Sequence, residues 1–173
     1  MNSLIIYSTT DGHTKKICET IRVNSINKNS YEIISLEEAF NKEIEKYDEI
    51  IVGASIRYGR HSPKLYKFIK NNKNILEKKK SAFFSVNVVA RKLEKSTPET
   101  NPYIRKFLKK SSWQPKKLGV FAGKIDYPRL GLINKNVIRL IMFVTNGPTN
   151  TDNAYEFTDW HGVKKFINEF DKI

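Results

Sequence analysis

The chain has 173 residues, and its 31 Lys and Arg against 18 Asp and Glu give a formal charge of +13. That length supports one domain with a real core, and 39% hydrophobic with 12% aromatic residues excludes a disordered polymer. The single cysteine, Cys18, excludes a disulfide scaffold and a multi-cysteine metal site, so no metal is expected and a reducing, cytoplasmic setting fits.

The first element, Leu4 to Tyr7, is a short apolar strand that follows Met1-Asn2 directly. No basic leader and no apolar run of about 18 residues occurs, so neither an export signal nor a spanning helix is expected. Strands follow at Tyr31 to Leu36, Ile50 to Ile56, Ala82 to Val89 and Leu118 to Ile125. Their near-continuous Ile, Val and Phe suit a parallel sheet covered on both faces.

Helices fill the gaps between them. One starts at Thr14 and presents Ile17, Cys18 and Ile21; a weak one spans roughly 36–44. Ser62-Pro63 is an N-cap with proline at the first helical position, ahead of Leu65, Phe68, Ile69 and Leu76. The next opens at Thr97-Pro98 or Asn101-Pro102, and the last at Thr158 or Asp159. The pattern predicts an α/β fold with a doubly wound five-stranded parallel sheet and extra segments after the fourth and fifth strands. It reads as a single domain over 1–173, with a basic loop insertion at about 88–101 and an apolar and basic insertion at about 127–157.

Ligands of such sheets bind beyond the carboxyl ends of the strands. After the first strand come Ser8, Thr9, Thr10, Asp11, Gly12, His13 and Thr14, four hydroxyls and a glycine ahead of a helix. Backbone N–H groups and the helix dipole suit a phosphate there, and a capped turn needs the same residues. The loop has neither a Walker pattern nor a dinucleotide fingerprint, which disfavours ATP and NAD. After the third strand, Ser55, Ile56, Arg57, Tyr58 and Gly59 offer an aromatic and backbone surface to a flat ring; after the fourth come Asn87, Val88, Val89, Ala90, Arg91 and Lys92. Three such loops together suggest a mononucleotide carrying a flat ring.

The charge is uneven. Residues 91–140 hold 13 Lys and Arg and three acids, a net +10, which leaves +3 to the other 123 residues. Nucleic acid, an anionic membrane surface or an acidic substrate would each account for it, and drift toward lysine (24 Lys to 7 Arg) contributes. No nucleic-acid reader motif accompanies the basic stretch, so nucleic acid is not expected. Along the sequence the stretch lies apart from the first loop. Beyond Tyr127-Pro128-Arg129, Leu130, Ile133, Val137, Leu140, Ile141 and Val144 recur at helical spacing, and Leu132, Ile138, Met142 and Phe143 widen that stripe around Lys135 and Arg139. This reads as an interfacial segment, a wall of the site or packing on its own sheet.

The strand order and hydroxyl-rich first loop resemble the flavodoxin-like family. Residues 7–14 (YSTTDGHT), 53–59 (GASIRYG), 85–92 (SVNVVARK), 97–101 (TPETN), 105–108 (RKFL), 127–129 (YPR) and 158–160 (TDW) together resemble one branch of it, the quinone-dependent protoporphyrinogen IX dehydrogenases of bacterial haem synthesis. The resemblance implies FMN as cofactor, with its phosphate at Thr9, Thr10, Gly12, His13 and Thr14 and its ring between Ser55–Gly59 and Asn87–Arg91. It implies an oxidoreductase taking protoporphyrinogen IX to protoporphyrin IX with a membrane quinone, menaquinone or ubiquinone, as acceptor. It also implies a peripheral place on the cytoplasmic side of the inner membrane, against anionic lipid, and leaves homo-oligomers open. Asp11 stands where flavodoxins commonly carry threonine, and repulsion from a phosphate predicts that its carboxylate turns away. His13 suits a hydrogen-bonding cap. No residue declares itself as a catalytic base; Arg91 and Lys92 are the candidates for substrate carboxylates. The competing readings are an FMN electron carrier docking an acidic partner and an NAD(P)H:quinone reductase of the same fold.

Overall fold

Five parallel strands, β1 (Ser3–Ser8), β2 (Tyr31–Ser35), β3 (Glu49–Ser55), β4 (Lys80–Val86) and β5 (Lys117–Phe121), pair in the order β2-β1-β3-β4-β5. This computed structural model describes residues 2–173, the Asn29 side chain excepted, so Met1 lies outside it. Helices cover both faces. On one, α2 (Leu36–Ala39), α3 (Pro63–Lys78) and α4 (Pro102–Lys110) bury Leu65, Phe68, Phe107 and the fully enclosed Trp113 against Leu4, Ile6, Ile50, Val52 and Phe83. On the other, α1 (His13–Asn24) and α6 (Trp160–Phe170) set Ile17, Ile21, Val163 and Phe166 on Ile5, Ile51 and Phe84. Successive strand residues thus face different cores, which is why the strands read as nearly unbroken apolar runs. Gly53 of β3 is required by this packing, because a Cβ there would lie 2.1 Å from Cζ of Phe84.

Several expected boundaries shift. Leu36 leaves β2 to start α2, because Ser35 and Glu38 form a reciprocal capping box, and that helix ends at Ala39 rather than near 44. β4 stops at Val86, since the Asn87 side chain accepts from the amide of Ala90 and starts a 3-10 turn over Val88–Arg91. Of the two openings for α4, the molecule uses Asn101, whose side chain accepts from Tyr103 and Ile104 ahead of Pro102. Asp159 precedes α6 but caps nothing with its side chain.

The fifth strand expected to run to Ile125 breaks at Ala122-Gly123. Lys124–Asp126 becomes β6, paired antiparallel to β7 (Ala154–Glu156). Between them lies α5 (Leu132–Val144), packed over Ile125 and Tyr127. Among its residues only Met142 is buried, while Leu132, Ile133, Leu140, Phe143 and Val144 are more than half exposed.

Candidate functional site

The carboxyl ends of β1, β3 and β4 open into one cavity of about 850 Å³, roofed by the β6–α5 segment. A second depression, near Asn2 and Tyr47 at the other end of the sheet, is lined by groups already paired with each other, such as Lys42 and Glu32 at 2.6 Å.

The first wall is the β1–α1 loop, from which Thr10, Asp11, Gly12 and His13 line the cavity. Gly12 sits at φ +84°, a left-handed conformation that disfavours other residues, and it turns the chain into α1. Thr9 braces the loop from below by accepting the Gly12 amide at 3.1 Å. Helix geometry leaves the next amides, Thr14 and Lys15, without intrahelical acceptors. The Thr14 hydroxyl oxygen is buried without a partner among the described residues. A buried donor of that kind beside free amides fits a phosphate group.

Asp11 departs from the expectation. Its carboxylate folds onto the start of α1 and accepts the His13 amide at 3.1 Å, drawn by the positive helix end instead of swinging clear. His13 is buried, with Nε2 2.7 Å from Thr158 Oγ1 and its ring edge-on to Trp160 at 5.9 Å. Burial lowers its pKa below the usual histidine value, against the opposing pull of Glu156 and Asp11.

The second wall comes from the β3–α3 loop, where Ile56, Arg57, Tyr58 and Gly59 line the cavity. Tyr58 holds a positive φ of 49°, is 71% exposed, and donates to Asn134 Oδ1 of α5 at 2.9 Å. The third wall is Asn87, Val88 and Val89. It rests on a buried network in which Asn101 donates to Asn87 Oδ1 at 3.2 Å and His61 meets Ser85 at 3.0 Å. Burial first, then Lys106, pulls His61 down to about 4. Ser8 and Ser55 lie behind the lining, joined through Ser55 Oγ and the Ser8 carbonyl at 3.4 Å, and Ala90 is buried in its turn.

The two residues expected to meet substrate carboxylates are placed differently. Arg91 lines the cavity, but its guanidinium donates to the Thr145 carbonyl and hydroxyl at 2.9 and 2.8 Å and to the Val88 carbonyl at 3.3 Å. It fastens the end of α5 to the third wall. Lys92 is not among the lining residues.

Lys16, Tyr103, Lys124, Asp126 and Glu156 line the cavity without having been singled out in the sequence. Lys16 stands one turn beyond His13 on α1 and pairs with Glu156 at 3.2 Å. Burial alone would raise the Glu156 pKa, but hydrogen bonds from Lys16 and Trp160 outweigh it and hold the carboxyl below its usual range. Lys124 and Arg129 both face Asp126, at 2.9 and 3.7 Å. The basic stretch is therefore not apart from the first loop: β6 folds Lys124 back beside it.

A family model described as a flavodoxin domain matches residues 4–152. The chain is 41% identical over 169 residues to the protoporphyrinogen IX dehydrogenase [quinone] of Leishmania major, covering 96% of this chain and 73% of that one. It is 39% identical over 173 residues to the Escherichia coli K12 protein of the same name, covering 98% and 94%. The chain belongs to the flavodoxin-domain family of quinone-type protoporphyrinogen IX dehydrogenases. Its fold is also that of an oxidised flavodoxin 1 from Bacillus cereus, at a TM-score of 0.52 and 18% identity over 99% of this chain and 98% of that one. As in any flavodoxin-type sheet, the cavity of this family member lies where the chain order reverses, between β1 and β3. Among the described residues no helix is long and apolar enough to cross a membrane.

Proposed function

We propose that the protein binds FMN in this cavity and oxidises protoporphyrinogen IX to protoporphyrin IX, with a membrane quinone as acceptor. The observation that carries the reading is the convergence of the hydroxyl-rich first loop, with its unpartnered Thr14 hydroxyl, and two ring-flanking loops on one cavity. The names of the relatives supply the substrate and acceptor. FMN supplies a two-electron acceptor, so a six-electron oxidation takes three turnovers with a quinone re-oxidant each time.

The chain's own part is orientation and electrostatics. Thr10, Gly12 and the start of α1 hold the phosphate, through backbone amides and the Thr14 hydroxyl. Ile56 to Gly59 and Asn87 to Val89 bracket the ring. Arg91 is spent on α5, so Arg57 and Arg129 take the substrate carboxylates; both line the cavity, and the Arg129 side chain is 83% exposed with only a loose contact to Asp126.

The exposed apolar residues of α5, with Lys135 and Arg139 among them, form a surface for an anionic bilayer from which an apolar tetrapyrrole and quinone reach the cavity mouth. Absorption spectra of purified protein and stopped-flow reduction of its flavin by protoporphyrinogen test the redox reading. A colourless protein that takes up no FMN, or flavin reduced no faster than in a buffer control, refutes it. Flotation with anionic liposomes tests the surface: a Leu140→Glu/Phe143→Glu variant should float less, and equal flotation removes α5 from the contact. Met142 is unsuited to that test, because a charge there would enter the small core beneath α5.

A further inference from the structure

We propose that His13 makes occupancy of the phosphate end proton-linked: a phosphate dianion seated at the start of α1 draws one proton from solvent onto Nδ1 of His13. The inference rests on the cofactor reading above and adds a thermodynamic property to it.

The hydrogen bonds fix the tautomer. Thr158 has one hydroxyl proton and donates it to the Ala122 carbonyl at 2.8 Å, so at Nε2 of His13, 2.7 Å away, Thr158 must accept. Nε2 therefore carries hydrogen in the neutral ring, and an incoming proton can land only on Nδ1. The ring is held there, 6% exposed and edge-on to Trp160.

Four charged groups act on it: Asp11 from the loop, Lys16 from α1, Lys124 from β6 and Glu156 from β7. Two are acids and two are bases. Trp160 of α6 and Thr158 bring no charge. With the local charges balanced, burial decides, and it favours the uncharged imidazole. A dianion adds two negative charges to that balance and reverses the preference. The Thr14 hydroxyl, next along the helix and buried without a partner among the described residues, is the independent sign that an acceptor belongs at this helix end.

The test is binding of FMN, and of riboflavin as the phosphate-free control, to the apoprotein of the wild type and of His13→Gln, followed by quenching of flavin fluorescence. The range is about pH 8.5 down to about pH 6.5, above the second ionisation of a phosphate ester near 6. Wild-type affinity for FMN should rise about two- to fivefold over that range, the part of a one-unit rise in the histidine pKa that titrates above about pH 6.5, and riboflavin affinity should stay flat. The FMN affinity of His13→Gln should be flat as well. Calorimetric titration of the wild type in phosphate-free buffers of different ionisation heat should register proton uptake with FMN, which decides the matter even if the variant does not fold. Parallel FMN curves for the two proteins, or no proton uptake, overturn the linkage and leave the cofactor reading standing. Absence of FMN binding by the wild type at every pH overturns both.

Discussion

Replacing Arg91 with alanine removes the two hydrogen bonds to Thr145 that fasten α5 to the third wall, and a third, to the Val88 carbonyl, that lies within that wall. In a half-buried setting each is worth about 1 kcal/mol, so the two-bond fastening is worth about 2 kcal/mol. Little else secures this helix, because Met142 is its sole fully buried side chain and the Tyr58–Asn134 contact is exposed. The loss should therefore fall on local opening of α5 and not on the sheet. At about 1.4 kcal/mol per tenfold change, amides of 132–144 should exchange roughly 30 times faster. Hydrogen-exchange mass spectrometry of peptides covering 132–144, with 49–55 as the internal reference, measures this directly. Unchanged α5 exchange together with a raised KM for the tetrapyrrole would refute the clasp and return Arg91 to a substrate-carboxylate role.

Gly53→Ala should destabilise the fold by about 1–3 kcal/mol, because the new methyl collides with a fully buried Phe84 ring; a melting temperature within a degree of wild type would contradict that packing. His61 titrates near 4 when folded and near 6.5 when unfolded, so the unfolded chain binds more protons between those values. Stability should be complete above about pH 6.5 and fall by about 3 kcal/mol as pH drops to about 4, and urea midpoints of His61→Gln should lose that part of the slope. Thr14→Val removes a buried hydroxyl that has no protein partner, so urea unfolding of the apoprotein should show equal or slightly higher stability, while the Kd for FMN should rise about tenfold. An equal Kd would mean that the hydroxyl does not meet the phosphate.

Much of this architecture is legible because single residues act locally. Strands buried on both faces leave unbroken apolar runs, and Ser62-Pro63 marks a helix start by chemistry confined to two positions. The choice between Thr97 and Asn101 is not local: Asn101 prevails because its amide also reaches Asn87 and the Lys95 carbonyl. The first loop stands out by its hydroxyls, yet its neighbours do not. Glu156 and Lys124 arrive from a two-stranded ribbon of three residues per strand, too short to leave an alternating pattern. Arg91 illustrates a different difficulty. An arginine beside a binding loop looks the same in sequence whether it faces a ligand or a backbone carbonyl. The outward face of α5 is hidden for a related reason, since a helix apolar on nearly all sides carries no sign of which side is covered.

The two tryptophans sit on opposite sides of the sheet and make the molecule its own optical probe. Trp113, sealed beneath the α3 and α4 face, emits from a dry environment and follows global unfolding. Trp160, with Lys16 4.7 Å from its ring centre and His13 at its edge, responds to charge and occupancy at the start of α1. Their emission should separate by wavelength, the sealed indole to the blue. Folding and ligand uptake can then be followed in one unlabelled sample, each through its own indole.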